Sequence, residues 1–241
     1  MSKVFADKIE PRDSSMDVTI GTSTNTVTLA GNDLRANTVK DSGGNTLWTS
    51  DGSGNLSSVN SALAGNLVLL STQTASAASS VSFTSDIDDT YDVYIFTAID
   101  TNPVTNGAHF QFQGTTDGSN YNIPITSSYF HAEHNESDGT ANGPDGANEF
   151  DQAQGTDFQH LNVHIGNGAD ESGAGILHLF SPASSTYVKH FQWEGQHYHS
   201  SDYSINARVS GYLNTASPVT GIQFKFSSGN FDGIIKMYGL L

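Results

Sequence analysis

The sequence has no cysteine and no long apolar run. Because cysteine is absent, no disulfide can form, and the fold has to rest on the burial of apolar side chains. The longest apolar run, residues 67–70, is far shorter than the roughly 20 residues that span a bilayer. Residues 1–11 are charged throughout and lack the apolar stretch of a secretory signal. We therefore expect no membrane insertion and no secretion through a classical signal.

Basic residues are missing from the middle of the chain. Residues 41–188 contain 17 Asp and Glu but no Lys or Arg, and this imbalance produces the net charge of −16 over 241 residues. A phosphate backbone needs a basic footprint, so we expect no nucleic-acid partner. An acidic surface keeps a protein in solution, and its self-repulsion is weakest in salt, which favours a saline habitat.

No segment shows an apolar stripe at the helical period of 3.6 residues. Between residues 91 and 99 the side chains alternate with a period of two, as in a β-strand, and both faces are apolar. Turn-forming residues separate ten candidate strands, at residues 81–84, 91–99, 108–113, 121–130, 158–165, 175–181, 187–194, 203–213, 220–227 and 233–239. We predict an all-β protein, an antiparallel β-sandwich with a jelly-roll-like domain preceded by an extended β-rich N-terminal arm or shaft.

Residues 67–113 are predicted to be the centre of the sandwich, because a polar leader gives way there to a dense strand pattern. Within this stretch, residues 71–80 read STQTASAASS and are small and polar. They fit either an extended edge or a linker.

The first 65 residues are polar, with isolated aliphatic side chains. Short alternating stretches such as DVTIG and NTVTLAG predict strands, and glycine-rich stretches such as DSGGNT predict tight turns. So few aliphatic residues cannot offset the ordering entropy of an independent monomeric domain. We predict that residues 1–65 form an anchor or shaft in which three copies share a core, and that residues 66–241 form the sandwich; a floppy segment is the alternative.

Residues 1–12, MSKVFADKIEPR, form a short amphipathic strip. Its candidate anchoring residues are Val4, Phe5, Ile9 and Arg12. We interpret the strip as an arm that becomes ordered when Phe5 and Ile9 enter a pocket on a partner, the alternative being a disordered terminus.

The longest irregular stretch is predicted at residues 133–156, which contain six acidic residues and no Lys or Arg. Ca²⁺ takes six to eight oxygen ligands, but the spacing of an EF-hand loop is absent and the acidic residues are scattered. A solvated loop is therefore favoured over a calcium site.

Nine histidines invite a metal hypothesis. His197 and His199 share one strand face and are close enough for one ion, whereas His160 and His164 are expected roughly 13 Å apart. No Cys or carboxylate completes a known tetrahedral set, so we predict no metal and no cofactor. Protonation near about pH 6 would reduce the acidity, which predicts that assembly is sensitive to mild acid.

Catalytic motifs are also missing. The sequence has no Gly-x-Ser-x-Gly, no catalytic cysteine and no phosphate-binding glycine loop before a helix. No pair of carboxylates is singled out for glycoside hydrolysis. We therefore predict that the protein is not an enzyme.

One aromatic and polar patch stands out near residue 200, where the pattern is interpreted as strand end, loop and strand start. Rings beside Gln and His suit a carbohydrate face, and they suit an oligomer interface equally. The candidate residues of this glycan or interface patch are Trp193, Gln196, His197, Tyr198, His199 and Tyr203.

Two stretches, NPVTNGAHFQFQGTTDGSNYN at residues 102–122 and IIKMYGLL at residues 234–241, resemble a β-rich structural protein family of marine tailed bacteriophages. The N-terminal VFADKIEPR, followed by TIGT and TVTLAG, also resembles fibre or appendage proteins of such phages. Members of the family are virion structural proteins, tail fibres or head decorations. The resemblance therefore implies a component of the virion surface.

The combined expectation is a homotrimeric, non-enzymatic tail-fibre or spike-like appendage. It would be attached by its N-terminus to another virion protein and would present the sandwich to a host-surface glycan. The nearest alternative is a capsid decoration or head-fibre protein that binds the capsid shell, and a more distant one is a glycan-degrading enzyme.

Overall fold

The chain divides into two compact units, Met1–Asn60 and Ser61–Leu241. The computed structural model describes residues 36–53, 56–57, 59–60, 66–139, 141–146 and 148–240. Within these residues, no helix is long and apolar enough to cross a membrane.

A small antiparallel sheet forms the described part of the first unit. Its strands, in spatial order, are β1 (Thr38–Lys40), β2 (Thr46–Ser50) and β3 (Leu56–Ser57). In the β1–β2 turn, the Asp41 carboxylate accepts hydrogen bonds from the N–H groups of Gly43 (2.9 Å) and Asn45 (2.8 Å). Gly44 has a φ of 84°, which favours glycine. The predicted DSGGNT turn is therefore confirmed.

The described residues of the second unit form thirteen strands and one short 3-10 helix. The strands are β4 (Leu67–Ala78), β5 (Val81–Phe83), β6 (Val93–Pro103), β7 (Ala108–Thr115), β8 (Ile125–Asn135), β9 (Ala141–Gly146), β10 (Ala153–Gly155), β11 (Gln159–Ile165), β12 (Gly173–Phe180), β13 (Lys189–His199), β14 (Tyr203–Leu213), β15 (Gly221–Phe226) and β16 (Phe231–Leu240). The helix spans Asn148–Phe150, between β9 and β10. All ten predicted strands are confirmed.

The strands form two layers of an antiparallel, jelly-roll-like sandwich. The larger layer has the order β4-β16-β6-β12-β13-β14-β8, with β9 and β10 paired to β8. The smaller layer has the order β11-β7-β15-β5. A single pairing, between Ile165 of β11 and His199 of β13, joins the layers and nearly closes the sandwich.

Aromatic side chains fill the space between the layers. Phe110 stacks on Phe224 with ring centroids 5.7 Å apart, and Phe112 packs edge-on against Phe191 at 4.9 Å. All four rings are at most 1% exposed. Rings of this size bury roughly 150–250 Å² each, so they contribute a large share of the apolar burial that stabilises a chain without disulfides.

The small, polar residues 71–80 belong mainly to a strand and not to a linker. Strand β4 pairs with β16 along its length, from Leu67 opposite Leu240 to Ala78 opposite Phe231. Within the described residues no strand pairs with its other side, so β4 is an edge strand.

The prediction of an irregular stretch at residues 133–156 is wrong for most of its length. Strand β8 continues to Asn135, and β9, the 3-10 helix and β10 follow. Strands β9 and β10 consist of small and polar residues, and backbone hydrogen bonds pair them with β8. Because they contain no alternating apolar side chains, the sequence gives no strand signal there.

The prediction of a loop between Trp193 and Tyr203 is also wrong. Strand β13 runs without interruption to His199, and only residues 200–202 form the turn to β14. The misleading residue is Gly195. A Cβ built there would lie 2.5 Å from the indole nitrogen of Trp193, so this glycine makes room for a ring within a strand.

Candidate functional site

The predicted anchoring residues Val4, Phe5, Ile9 and Arg12 lie outside the described residues. The arm that they define stays a prediction.

The predicted aromatic patch is divided between the two faces of the larger sheet, because successive residues of β13 point to opposite sides. Trp193 and His197 face the core and are only 2% and 1% exposed. The Trp193 indole N–H donates to Oδ1 of Asn162 at 3.1 Å. On the outer face, Gln196 donates to the hydroxyl of Ser204 at 3.0 Å. The structure thus removes the Trp193 ring from solvent.

His199, from the predicted patch, belongs to a group of four histidines that we call the histidine cluster, and Tyr203 lies beside it. It consists of His109 on β7, His160 and His164 on β11, and His199 on β13. The ring of His109 is 4.8 Å from His160 and 4.4 Å from His164, centroid to centroid. His199 is 5.3 Å from His164 and 5.6 Å from Tyr203.

The predicted separation of His160 and His164 is wrong, because both rings contact His109 and cannot be farther apart than the sum of those two distances. Two irregularities in the pairing of β11 with β7 cause the difference. His164 also has a positive φ of 55°, and its backbone N–H donates to Nδ1 of His109 at 3.1 Å. A regular strand would hold the two side chains apart.

Phe150 of the 3-10 helix covers the histidine cluster. Its ring stacks on His160 at 5.3 Å and meets Tyr129 of β8 edge-on at 5.2 Å. The segment is held from both sides, since Gln159 donates to the Phe150 carbonyl at 3.0 Å and Asp151 accepts the Tyr129 N–H at 2.6 Å.

Burial lowers the pKa of three members of the histidine cluster, His109, His160 and His199. The pKa of His109 is lowered to about 4, mainly by burial and also by the neighbouring His160, His164 and His199. Burial also lowers the pKa of His160 and, although Glu133 and Glu171 oppose the shift, that of His199.

His197, behind the histidine cluster, has its pKa lowered to about 3 by burial, and neither ring nitrogen has a partner with good hydrogen-bond geometry. In the folded protein, His109 and His197 therefore take up protons only well below pH 6.

The histidine cluster does not form a metal site in the described residues. No three His, Asp or Glu side chains there are placed to hold one ion. The arrangement instead resists proton uptake in the folded protein, because several imidazoles lie against each other and would repel once charged.

The outer face of the larger sheet carries a groove lined by charged, polar and apolar residues. It has a volume of about 280 Å³ and lies across β12, β13, β14 and β8. Its lining residues are Phe130, Ile176, His178, Gln192, Trp193, Glu194, Arg208 and Ser210.

An ion pair lies at the centre of the groove. Nη2 of Arg208 is 2.5 Å from Oε1 of Glu194, and both side chains are about half exposed. The strand register places Ile176 directly beside Glu194, and Phe130 directly beside Arg208. The pair is therefore flanked by an aliphatic side chain on one side and an aromatic ring on the other.

The groove combines hydrogen-bonding groups with apolar surface. The guanidinium donates, the carboxylate accepts, and Ile176 and Phe130 are 43% and 38% exposed. This combination suits a ligand with hydroxyl groups at its edge and C–H groups on its faces, as a sugar ring has.

Sequence analysis missed the groove because its residues come from four separate strands. One signal was present: the alternation along β13 puts Gln192 and Glu194 on the face opposite Trp193.

Comparisons of the chain with models of protein families, with curated proteins and with solved structures found no match. The resemblance to phage virion proteins therefore rests on the sequence patterns alone.

Proposed function

We propose that the protein is a non-enzymatic structural component of a bacteriophage virion. It forms a trimeric tail-fibre or spike-like appendage on the virion surface, is attached by its N-terminal region to another virion protein, and presents the sandwich to the host. The all-β architecture and the phage-like patterns at residues 102–122 and 234–241 support this proposal.

The observation that carries the attachment role is the groove with the Arg208–Glu194 pair. It lies on the outer face of the larger sheet, and its opposing charges leave it locally neutral within an acidic protein. Host-surface glycans offer the hydroxyl groups and apolar ring faces that this lining fits. Glu194 and Arg208 bind the hydroxyls, and Phe130 contacts a ring face.

The test is binding of the full-length protein to envelope polysaccharide from host cells, compared between wild type and Arg208→Ala. We expect the variant to bind about ten-fold more weakly or worse, because arginine is enriched among the residues whose loss costs about 2 kcal/mol or more of binding free energy. Its stability should change little, since exposed ion pairs contribute only about 0–1 kcal/mol.

Lys225→Ala is the matched control, because it removes a cation that lies over Phe158 beside the smaller layer, outside the groove. We expect its binding to equal that of wild type. Wild-type protein that binds no host fraction, or an Arg208→Ala variant that binds as tightly as wild type, would contradict the attachment role.

A capsid decoration or head-fibre protein is the second candidate, and the distribution of charge supports it. Residues 1–40 carry five Lys and Arg and five Asp and Glu, whereas the remainder is strongly acidic. A neutral N-terminal region can dock on a shell while the acidic sandwich stays in solvent. The number of copies per particle separates the candidates, because an appendage of the tail is present in a few copies and a decoration covers the capsid.

A further inference from the structure

The other half of the outer face of the larger sheet carries an apolar band. Its first row crosses four strands, with Leu67, Leu240, Val93 and Phe180 directly opposite one another in register. In the second row, Tyr238 lies between its register partners on either side, Leu69 and Ile95. We call these seven residues the apolar band.

The apolar band is exposed at the sheet edge and half-covered towards the middle. Leu67 is 48% exposed and Leu69 is 53% exposed, both on edge strand β4. Val93 and Ile95, two strands further in, are partly exposed. Strand β4 is twelve residues long and begins with exposed leucines. The free backbone groups of such an edge can pair with another chain, and natural proteins usually cover or shorten edges of this kind.

The band contains no charged residue, although the chain carries a net charge of −16. The row beyond Tyr238 contains Lys236, while Asp89 and Asp92 lie at the opposite border, around Val93 and Leu240. Two copies of so acidic a chain repel each other over most of their surface. The band itself has no charge that would repel another copy, and it has a cation at one border and carboxylates at the other.

The band has two different regions on the same sheet face. Leu67 and Leu69 form the region at the edge strand, and Val93, Ile95 and Phe180 form the region further in. A contact between two different patches is heterologous, and such contacts generate closed rings when the rotation between copies permits.

We propose that the apolar band binds a second copy of this chain. The β4 edge of one copy packs against the Val93–Ile95 face of the next, and three such contacts close the ring. Lys236 then lies towards acidic residues of the adjacent copy. This inference deepens the proposed function, since it rests on the trimer assumed there and names the surface that holds it together.

The test is the mass of the full-length protein in solution, measured by light scattering and sedimentation at micromolar concentration. Wild type should have three times the monomer mass of 25.6 kDa. Leu69→Lys at the edge and Val93→Lys on the face should each weaken self-association about ten-fold or more, because each buries an unpaired charge in an apolar contact. Val104→Lys, at a position 60% exposed outside the band, is the matched control and should leave the mass unchanged.

Thermal unfolding of each variant establishes that the fold is kept, and Leu67→Lys replaces Leu69→Lys if the latter does not fold. A monomeric wild type would overturn the inference, as would band variants that keep the wild-type mass. Glycan binding by a dissociated variant through the groove would leave the attachment role standing, so the two proposals fail separately.

Discussion

The indole of Trp193 fills space that only glycine leaves free. Gly175 and Gly195 lie opposite each other on β12 and β13, and a Cβ at Gly175 would lie 2.2 Å from the indole ring. The ring's N–H then reaches Asn162 on the other layer. The sequence shows a tryptophan near a glycine, which suggests an exposed loop. It does not show that the glycine belongs to a strand and gives the ring access to the core.

The Trp193–Asn162 hydrogen bond predicts a specific stability change. Asn162→Leu leaves the buried indole N–H without an acceptor, and it removes the donor to the Ala174 carbonyl at 3.4 Å. We expect the free energy of unfolding in urea to fall by about 1–3 kcal/mol. Asn206→Leu is the control, because Asn206 is only partly buried and water can replace its bond to Gly195. An Asn162→Leu variant as stable as wild type would show that the bond contributes nothing net.

At the scale of elements, the irregular strand β11 explains why histidines distant in sequence meet. Its bulges and the positive φ of His164 turn that side chain towards His109 on β7, and the 3-10 helix places Phe150 over the group. Ring contacts therefore connect β7, β11, β13 and the helix.

The histidine cluster predicts that stability falls with mild acid. The folded-state pKa values of His109, His160, His197 and His199 are lowered, whereas in the unfolded chain they are near 6.5, so the unfolded state binds more protons below that pH. Each neutral histidine contributes up to about 1.4 kcal/mol per pH unit below its unfolded pKa, and less where solvent screens it. Stability should be constant above about pH 7 and decline towards pH 5, where carboxylates still remain charged.

The measurement is the free energy of unfolding in urea between about pH 8 and pH 5. His109→Gln should make the decline shallower, whereas His178→Gln, outside the histidine cluster, should leave the slope unchanged. Equal stability at both ends of this range would contradict the interpretation.

The elements differ in how well the sequence predicted them. The ten confirmed strands bury one face or both, so their side chains alternate. Strands β4, β9 and β10 lie towards the sheet edges and are rich in small polar residues. Backbone hydrogen bonds hold them in the sheet, so their side chains show little of the apolar alternation that predicts a strand. The groove was not predictable, because Glu194 meets Arg208 and Phe130 only through a strand order that no local pattern encodes.

At the scale of the whole molecule, charge is the dominant feature. The net charge of −16 is spread over most of the chain, yet on the outer face of the larger sheet Lys236 and the paired Arg208 and Glu194 lie beside uncharged rows. We infer that this face makes the contacts, with the groove for a glycan and the apolar band for another copy. Electrostatic repulsion from the remaining acidic surface then keeps separate assemblies from associating with each other.

The central claim, a trimeric appendage on the tail of a virion, is tested most directly by an electron cryomicroscopy reconstruction of the intact particle. The account predicts density for three copies of the sandwich around one axis on the tail, with the N-terminal regions towards the particle and the grooves facing outward. Density for this chain spread over the capsid shell, or its absence from the particle, would contradict it.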